Sequence, residues 1–137
     1  MSETAEDALS NPTITDPAEL LQRHAAGERE FMGVDLSGAD LQKVNLRGAE
    51  LSYAELGMAD LGGADLRGVD FSYANLNGAN LAQADLRGAI LMGTNLQSAN
   101  LSQALLENAD YDDSTRFPHD FDPIAAGMKP LATDLPS

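Results

Sequence analysis

The side chains with the most chemical potential in this chain are carboxylates. Twelve Asp and Glu residues fall between positions 31 and 113, and Asp35, Asp40, Glu50, Glu55, Asp60, Asp65, Asp70 and Asp85 are all separated by multiples of five. Paired carboxylates can run general acid-base catalysis or hold a metal ion. A recurrence of five instead gives each acid the same station on a repeating backbone, so the expected arrangement is a solvated ladder rather than a convergent pair. The segment 60–65, DLGGAD, is similar to the loops of calcium-binding nonapeptide β-helices, but those require a nine-residue period of Gly and Asp. His24 and His119 lie outside the repetitive stretch, and no third residue is spaced to orient either one as a base. The chain has no Cys, which excludes disulfides, thiolate metal sites and cysteine nucleophiles. The expectation is a protein without catalytic residues, metal or cofactor.

The elements that position these residues follow from the period. In 76–89, LNGANLAQADLRGA, leucines recur at 76, 81 and 86. The same register runs from 31 to 111 as 17 consecutive apolar centres, 14 of them Leu, with Phe31, Phe71 and Tyr111 completing the set. Two residues before the centre stands Ala or Val in 15 of 17 units, and one residue before it Asp, Asn or Glu in 15 of 17. A straight strand would send successive leucines to opposite faces. A straight helix would wind them around every side, because five residues advance it by about 500°. The chain must turn once per unit. The small residue and the leucine, two apart on a short extended segment, both point inward, and the acid or amide between them points outward. The last two residues of each unit form a corner. Gly holds the second corner position in 8 of 17 units, where a type II turn needs positive φ. Corners without glycine, such as Lys43, Tyr53, Tyr73 and Gln83, are expected to use another turn type.

Four corners close a square, which predicts a second period of 20. Segments 46–65 and 66–85 align without gaps, and both, like 86–105, open with LRG. Arg47, Arg67 and Arg87 then form one outer column, Tyr53 lies above Tyr73, and Phe31, Leu51, Phe71, Leu91 and Tyr111 share one inner column. Backbone hydrogen bonds must run between coils about 4.8 Å apart, so about four coils give a rod about 20 Å tall, an all-β solenoid.

With these units in view, the chain resembles the pentapeptide repeat family, whose motif is A(D/N)LXX. The resemblance covers residues 31–113 and implies a right-handed quadrilateral β-helix. Thr94, at a small apolar station, and the apolar run Ile90-Leu91-Met92 depart from the motif. The resemblance also implies an alternative function, since some members look like duplex DNA and bind type II topoisomerases such as DNA gyrase. The repeats carry 12 acids and 4 bases. That charge density is comparable with that of B-DNA, at one charge per about 1.7 Å, but four coils span less than one helical turn of about 34 Å. The arginine column would also place positive charge along the side of a mimic.

The ends of an open β-helix need covers. Residues 13–30 are expected to supply an N-terminal cap with a helix over 17–26, in which Asp16 is the N-cap, Pro17 the first position, Glu19 the partner in a capping box and Gly27 the stop. Its Ala18, Leu21 and Ala25 stripe is expected to cover the first coil. Residues 114–137 break the period and are expected to form a C-terminal plug around Phe117, Phe121 and Ile124. Residues 1–12 and 130–137 read as tails, the first of them disordered.

The 137 residues, 43% apolar, suit a single domain, and the net charge of −14 disfavours both nucleic acid and anionic membrane surfaces as partners. The N-terminus lacks the apolar core of a signal peptide, no run is long enough to span a membrane, and a cytoplasmic location is expected, with a monomer compatible with the pattern. The reading is a non-catalytic protein-interaction or scaffold module with a protein partner. The expected contact surface is Tyr53, Tyr73, Ile90 and Met92, apolar groups gathered outside one side of the square, with Arg47, Arg67 and Arg87 as a polar rim or as partners of Glu50, Asp70 and neighbouring acids. The tyrosines are also expected to stack across coils.

Overall fold

The computed structural model describes residues 14–131; the expected disordered tail 1–12 lies outside them. Helix α1, Pro17–Ala25, opens the described chain. From residue 30 the backbone coils, and parallel bridges connect positions 20 apart, from Glu30 with Glu50 through Ile90 with Asp110. Each side of the square places only one residue in full bridge geometry, because the chain bends again within five residues. The coils form a right-handed quadrilateral β-helix.

The hydrogen bonds explain why five residues suffice. Each central amide donates to the next coil, as Leu76 does to Asn95 O at 2.8 Å, and each outward-facing amide donates to the preceding one, as Asn75 does to Ala54 O at 2.9 Å. Across each corner the central carbonyl accepts from the following small residue, as Leu36 does from Ala39 at 3.0 Å. The leucine and alanine ladders are sealed through the middle coils, where Leu41, Leu66, Leu76, Leu81 and Leu91 are all 0% exposed, and open partly toward the ends at Ala39, Leu101 and Ala104.

The corners differ from the sequence expectation. Lys43, Tyr53, Tyr73 and Gln83 do not change turn type. Their φ values of 59°, 63°, 61° and 63° match the 66° to 73° of the corner glycines. Inter-coil bonds from both flanking segments, together with the 1–4 bond across the corner, dictate one backbone shape, and the side chain accepts it at a cost of about 1–2 kcal/mol. Thr94 is fully buried and keeps its place because its hydroxyl donates to Phe71 O at 2.8 Å.

The caps differ in detail. Asp16 Oδ1 accepts from Ala18 N at 3.0 Å, as an N-cap should, but Glu19 turns to Arg23 at 2.8 Å rather than closing a capping box. The buried helix residues are Leu20 and His24, whereas Ala18 and Ala25 are exposed; Ile14 joins the same core. Of the expected stripe Leu21 alone packs, partly buried, against this core, because the larger Leu20 fills the end of the coil better than two alanines. At the other end the helix gains one residue at 112–115, so that Arg116 pairs with Asn95. Thr115 there repeats the device of Thr94, its hydroxyl donating to Leu91 O at 2.7 Å. Phe117 packs edge-on to Tyr111 and stacks on Phe121, with centroids 5.5 and 5.1 Å apart. Ile124, expected in this plug, is 60% exposed, and Met128 is buried in its stead. Strand β1, Asp110–Tyr111, pairs in parallel with β2, Lys129–Pro130. Pro130 and Leu131, read as tail, thus continue the coil, and Leu131 N donates to Tyr111 O at 2.8 Å.

Candidate interaction surface

Two adjacent corners of the square carry the expected site residues. On the first, Tyr53 N donates to Ser72 O at 2.9 Å and Tyr73 N to Met92 O at 2.8 Å, which fixes the three coils in register. The tyrosine rings lie parallel at 5.3 Å, 19° apart, so the expected stacking forms. Tyr73 also covers Gly93 of the next coil so closely that a Cβ on that glycine would meet its ring. Both tyrosines remain at least half exposed, at 60% and 50%, and Met32 on the preceding coil is 55% exposed at the same corner. Met92 and Ile90 are only partly exposed, less than either tyrosine; Ile90 stands one station earlier, bridged to Asp70.

The second corner carries Arg47, Arg67 and Arg87. Of the acids expected as partners they reach neither Glu50 nor Asp70, but the neighbouring Asp65 and Asp85. For Arg67 and Arg87 the partner, Asp65 or Asp85, stands two residues earlier in the same unit. Arg67 forks onto Asp65 at 2.9 and 2.8 Å, and Arg87 onto Asp85. Each aspartate also faces the arginine of the preceding coil, at 3.9 Å for Arg47 and 3.6 Å for Arg67. The side-chain hydrogen bonds from Arg67 and Arg87 hold the carboxyls of Asp65 and Asp85 below the usual carboxylate range, outweighing their partial burial. On the side between the two corners, burial and the neighbouring Asp70 carboxylate raise the Glu50 pKa.

This geometry, with alanine, an outward acid or amide, an inward leucine and a two-residue corner repeated at every side, is shared by a family of known proteins. The model of pentapeptide repeats matches residues 30–68 and 70–108 in 8 copies. The chain belongs to the pentapeptide repeat family. A crystal structure of a pentapeptide repeat protein from Nostoc Pcc 7120 is 49% identical, with a TM-score of 0.82, over 83% of this chain and 94% of that one. A pentapeptide repeat protein of the Arabidopsis thaliana thylakoid lumen is 32% identical, with a TM-score of 0.60, over 82% of this chain and 72% of that one. No curated protein matches the chain.

Within the pentapeptide, the structure gives the Asp or Asn station a role beyond solubility. Its Oδ1 accepts the amide two residues on, from Asp35 (3.2 Å to Ser37 N) through Asn75 (2.9 Å to Asn77 N) to Asn100 (3.0 Å to Ser102 N). The first corner amide is thereby satisfied by an Asx turn, which explains why Asp and Asn outnumber Glu at this station. The signal was present in the residue types and was read only as charge. Among the described residues, no three His, Cys, Asp or Glu side chains gather as a metal site, and no helix is long and apolar enough to cross a membrane. His119 is exposed beside Asp120, whereas His24 is buried and its Nε2 donates to Arg47 O at 2.9 Å, pinning α1 to the first coil.

Proposed function

We propose that this pentapeptide repeat protein is a non-catalytic interaction module that engages a protein partner, in the cytoplasm, through the corner of Tyr53 and Tyr73. The observation that carries this reading is that Met32, Tyr53 and Tyr73 are exposed on successive coils at one corner, whereas the other exposed large apolar side chains, Met58, Leu105, Ile124 and Leu131, stand at other stations. Aromatic and methionine side chains are enriched in interface cores, and a contiguous apolar strip in water is costly unless it is covered. The two rings are also preorganised. Stacking and the positive-φ corners restrict them before any partner arrives, so that little ordering entropy is lost on contact. Glycine holds the same station on the flanking coils at Gly33 and Gly93, so the turn itself does not demand tyrosine.

The test is capture from native lysate by the wild-type chain and by Tyr53→Ser combined with Tyr73→Ser. The double variant should retain the wild-type circular dichroism spectrum and lose the partner. A partner retained at full yield would remove the tyrosine corner from the interface, and a partner displaced by competing duplex DNA would favour a DNA-mimic role instead.

A further inference from the structure

The arginine corner is not uniform. Residues 65–68 and 85–88 read DLRG, but 45–48 read NLRG. Arg67 and Arg87 therefore each fork onto a carboxylate of their own unit, whereas Arg47 has Asn45, whose Oδ1 accepts the Arg47 backbone amide at 3.1 Å. The carboxylate in reach of the Arg47 guanidinium is Asp65, at 3.9 Å, and Arg67 already holds it at 2.8 Å. Next to Arg47 stands Arg29, whose Nη1 donates to the carbonyls of His24 and Glu28, both at 2.8 Å, and which forms no ion pair with the described residues. Arg29, Arg47 and Arg67 line one groove of about 490 Å³ together with His24 and Asn45, and the glycines Gly48 and Gly68 complete its wall. His24 Nε2 is already engaged by a carbonyl, and Arg67 spends Nε and Nη2 on Asp65, so Arg47, whose guanidinium donates no hydrogen bond to the described residues, keeps the most donors in the groove, followed by Nε and Nη2 of Arg29.

We propose that this groove binds a carboxylate of an acidic segment of a protein partner, an Asp or Glu side chain that supplies to Arg47 and Arg29 the rung that Asn45 withholds. A guanidinium is a planar fork matched to a carboxylate, and the two higher rungs show that this corner's backbone presents it in the right orientation. On a chain of net charge −14, a groove whose charged lining consists of three arginines is a local reversal of sign. It selects where an acidic segment docks and sets its register, while the rest of the surface repels it. The inference rests on the reading of the chain as an interaction module and adds the chemistry of the partner.

The experiment titrates the full chain with N-acetylated hexaglutamate at low salt and follows the backbone amide resonances of Arg47 and Gly48. Asn45→Asp keeps the Asx acceptor and completes the rung internally. It should weaken the peptide by at least about fivefold, as Arg47→Gln should, the effect expected for losing one charge-assisted pair at a partly exposed site. Asn95→Asp, the same charge change on another side of the square, should leave the affinity unchanged. Equal weakening by Asn45→Asp and Asn95→Asp would reduce the effect to bulk charge and overturn the proposal. Inorganic phosphate moving the same resonances as strongly at matched concentration and ionic strength would overturn its choice of ligand. If hexaglutamate leaves Arg47 and Gly48 unmoved while the tyrosine double variant still loses its partner, the groove proposal falls and the interaction reading stands.

Discussion

The contact between Tyr73 and Gly93 can be weighed by comparing two glycine-to-alanine changes at the same corner station. Gly68 and Gly93 have φ values of 69° and 66°, so alanine meets the same backbone strain at both. That strain is about 1–2 kcal/mol, offset by about 0.4–1 kcal/mol from the stiffer unfolded chain, which leaves a loss of about 1 kcal/mol. Around Gly68 an added Cβ finds no atom within 4 Å, and Gly68→Ala should cost no more than this. At Gly93 the Cβ would overlap the Tyr73 ring, which must swing away and abandon its stack on Tyr53. An aromatic pair contributes about 0.5–1.5 kcal/mol beyond its burial, so Gly93→Ala should destabilise the protein by about 1.5–2.5 kcal/mol. Urea unfolding at constant m-value measures both variants. In a Tyr73→Ala background the excess at Gly93 should vanish, because the residue that the methyl displaces is gone. Equal costs for Gly68→Ala and Gly93→Ala, or an excess that persists without Tyr73, would refute the role assigned to the stack.

Leu81→Asp should abolish folding, since it forfeits about 1.5–3 kcal/mol of burial and forces an unpaired carboxylate into a fully buried position, whereas Leu81→Ala should fold with a loss of about 2–5 kcal/mol. A native circular dichroism spectrum for Leu81→Asp would contradict the inward assignment of the leucines. Asp65→Asn with Asp85→Asn should lower stability at neutral pH by breaking both arginine forks. The carboxyls are depressed below their ordinary value of 3.8 in the folded chain, so their contribution is present above that value and is lost as pH falls through the folded values. The gap in urea midpoint between wild type and variant should therefore close under acid, and a gap that stays constant down to acid pH would show that the forks do not carry it.

The five-residue period was sufficient to dictate the square cross-section, the inward leucines and alanines, the columns at spacing 20 and the placement of Tyr53 over Tyr73. These are local consequences. Every unit makes the same bend, so identical sides accumulate into a coil, and the inner station of one unit predicts that of every other. The Asx turn that secures the corners following Asp or Asn was also written in those residues, although its hydrogen bond becomes evident only once the corner is built. Other features depended on neighbours that the local code does not name. The positive φ of Lys43 and Tyr53 is imposed by the coils bonded on either side, against the preference of those residues. The helix presents Leu20 and His24 because the open end of the coil, rather than the helix alone, selects which stripe fits. Arg67 pairs with Asp65, two residues before it in the same unit, rather than with Glu50, and Arg29 lies in the groove beside Arg47 with its guanidinium held by the carbonyls of His24 and Glu28. Pairings between columns, and between cap and coil, are set by the relative placement of surfaces, and that placement exists only in the packed structure.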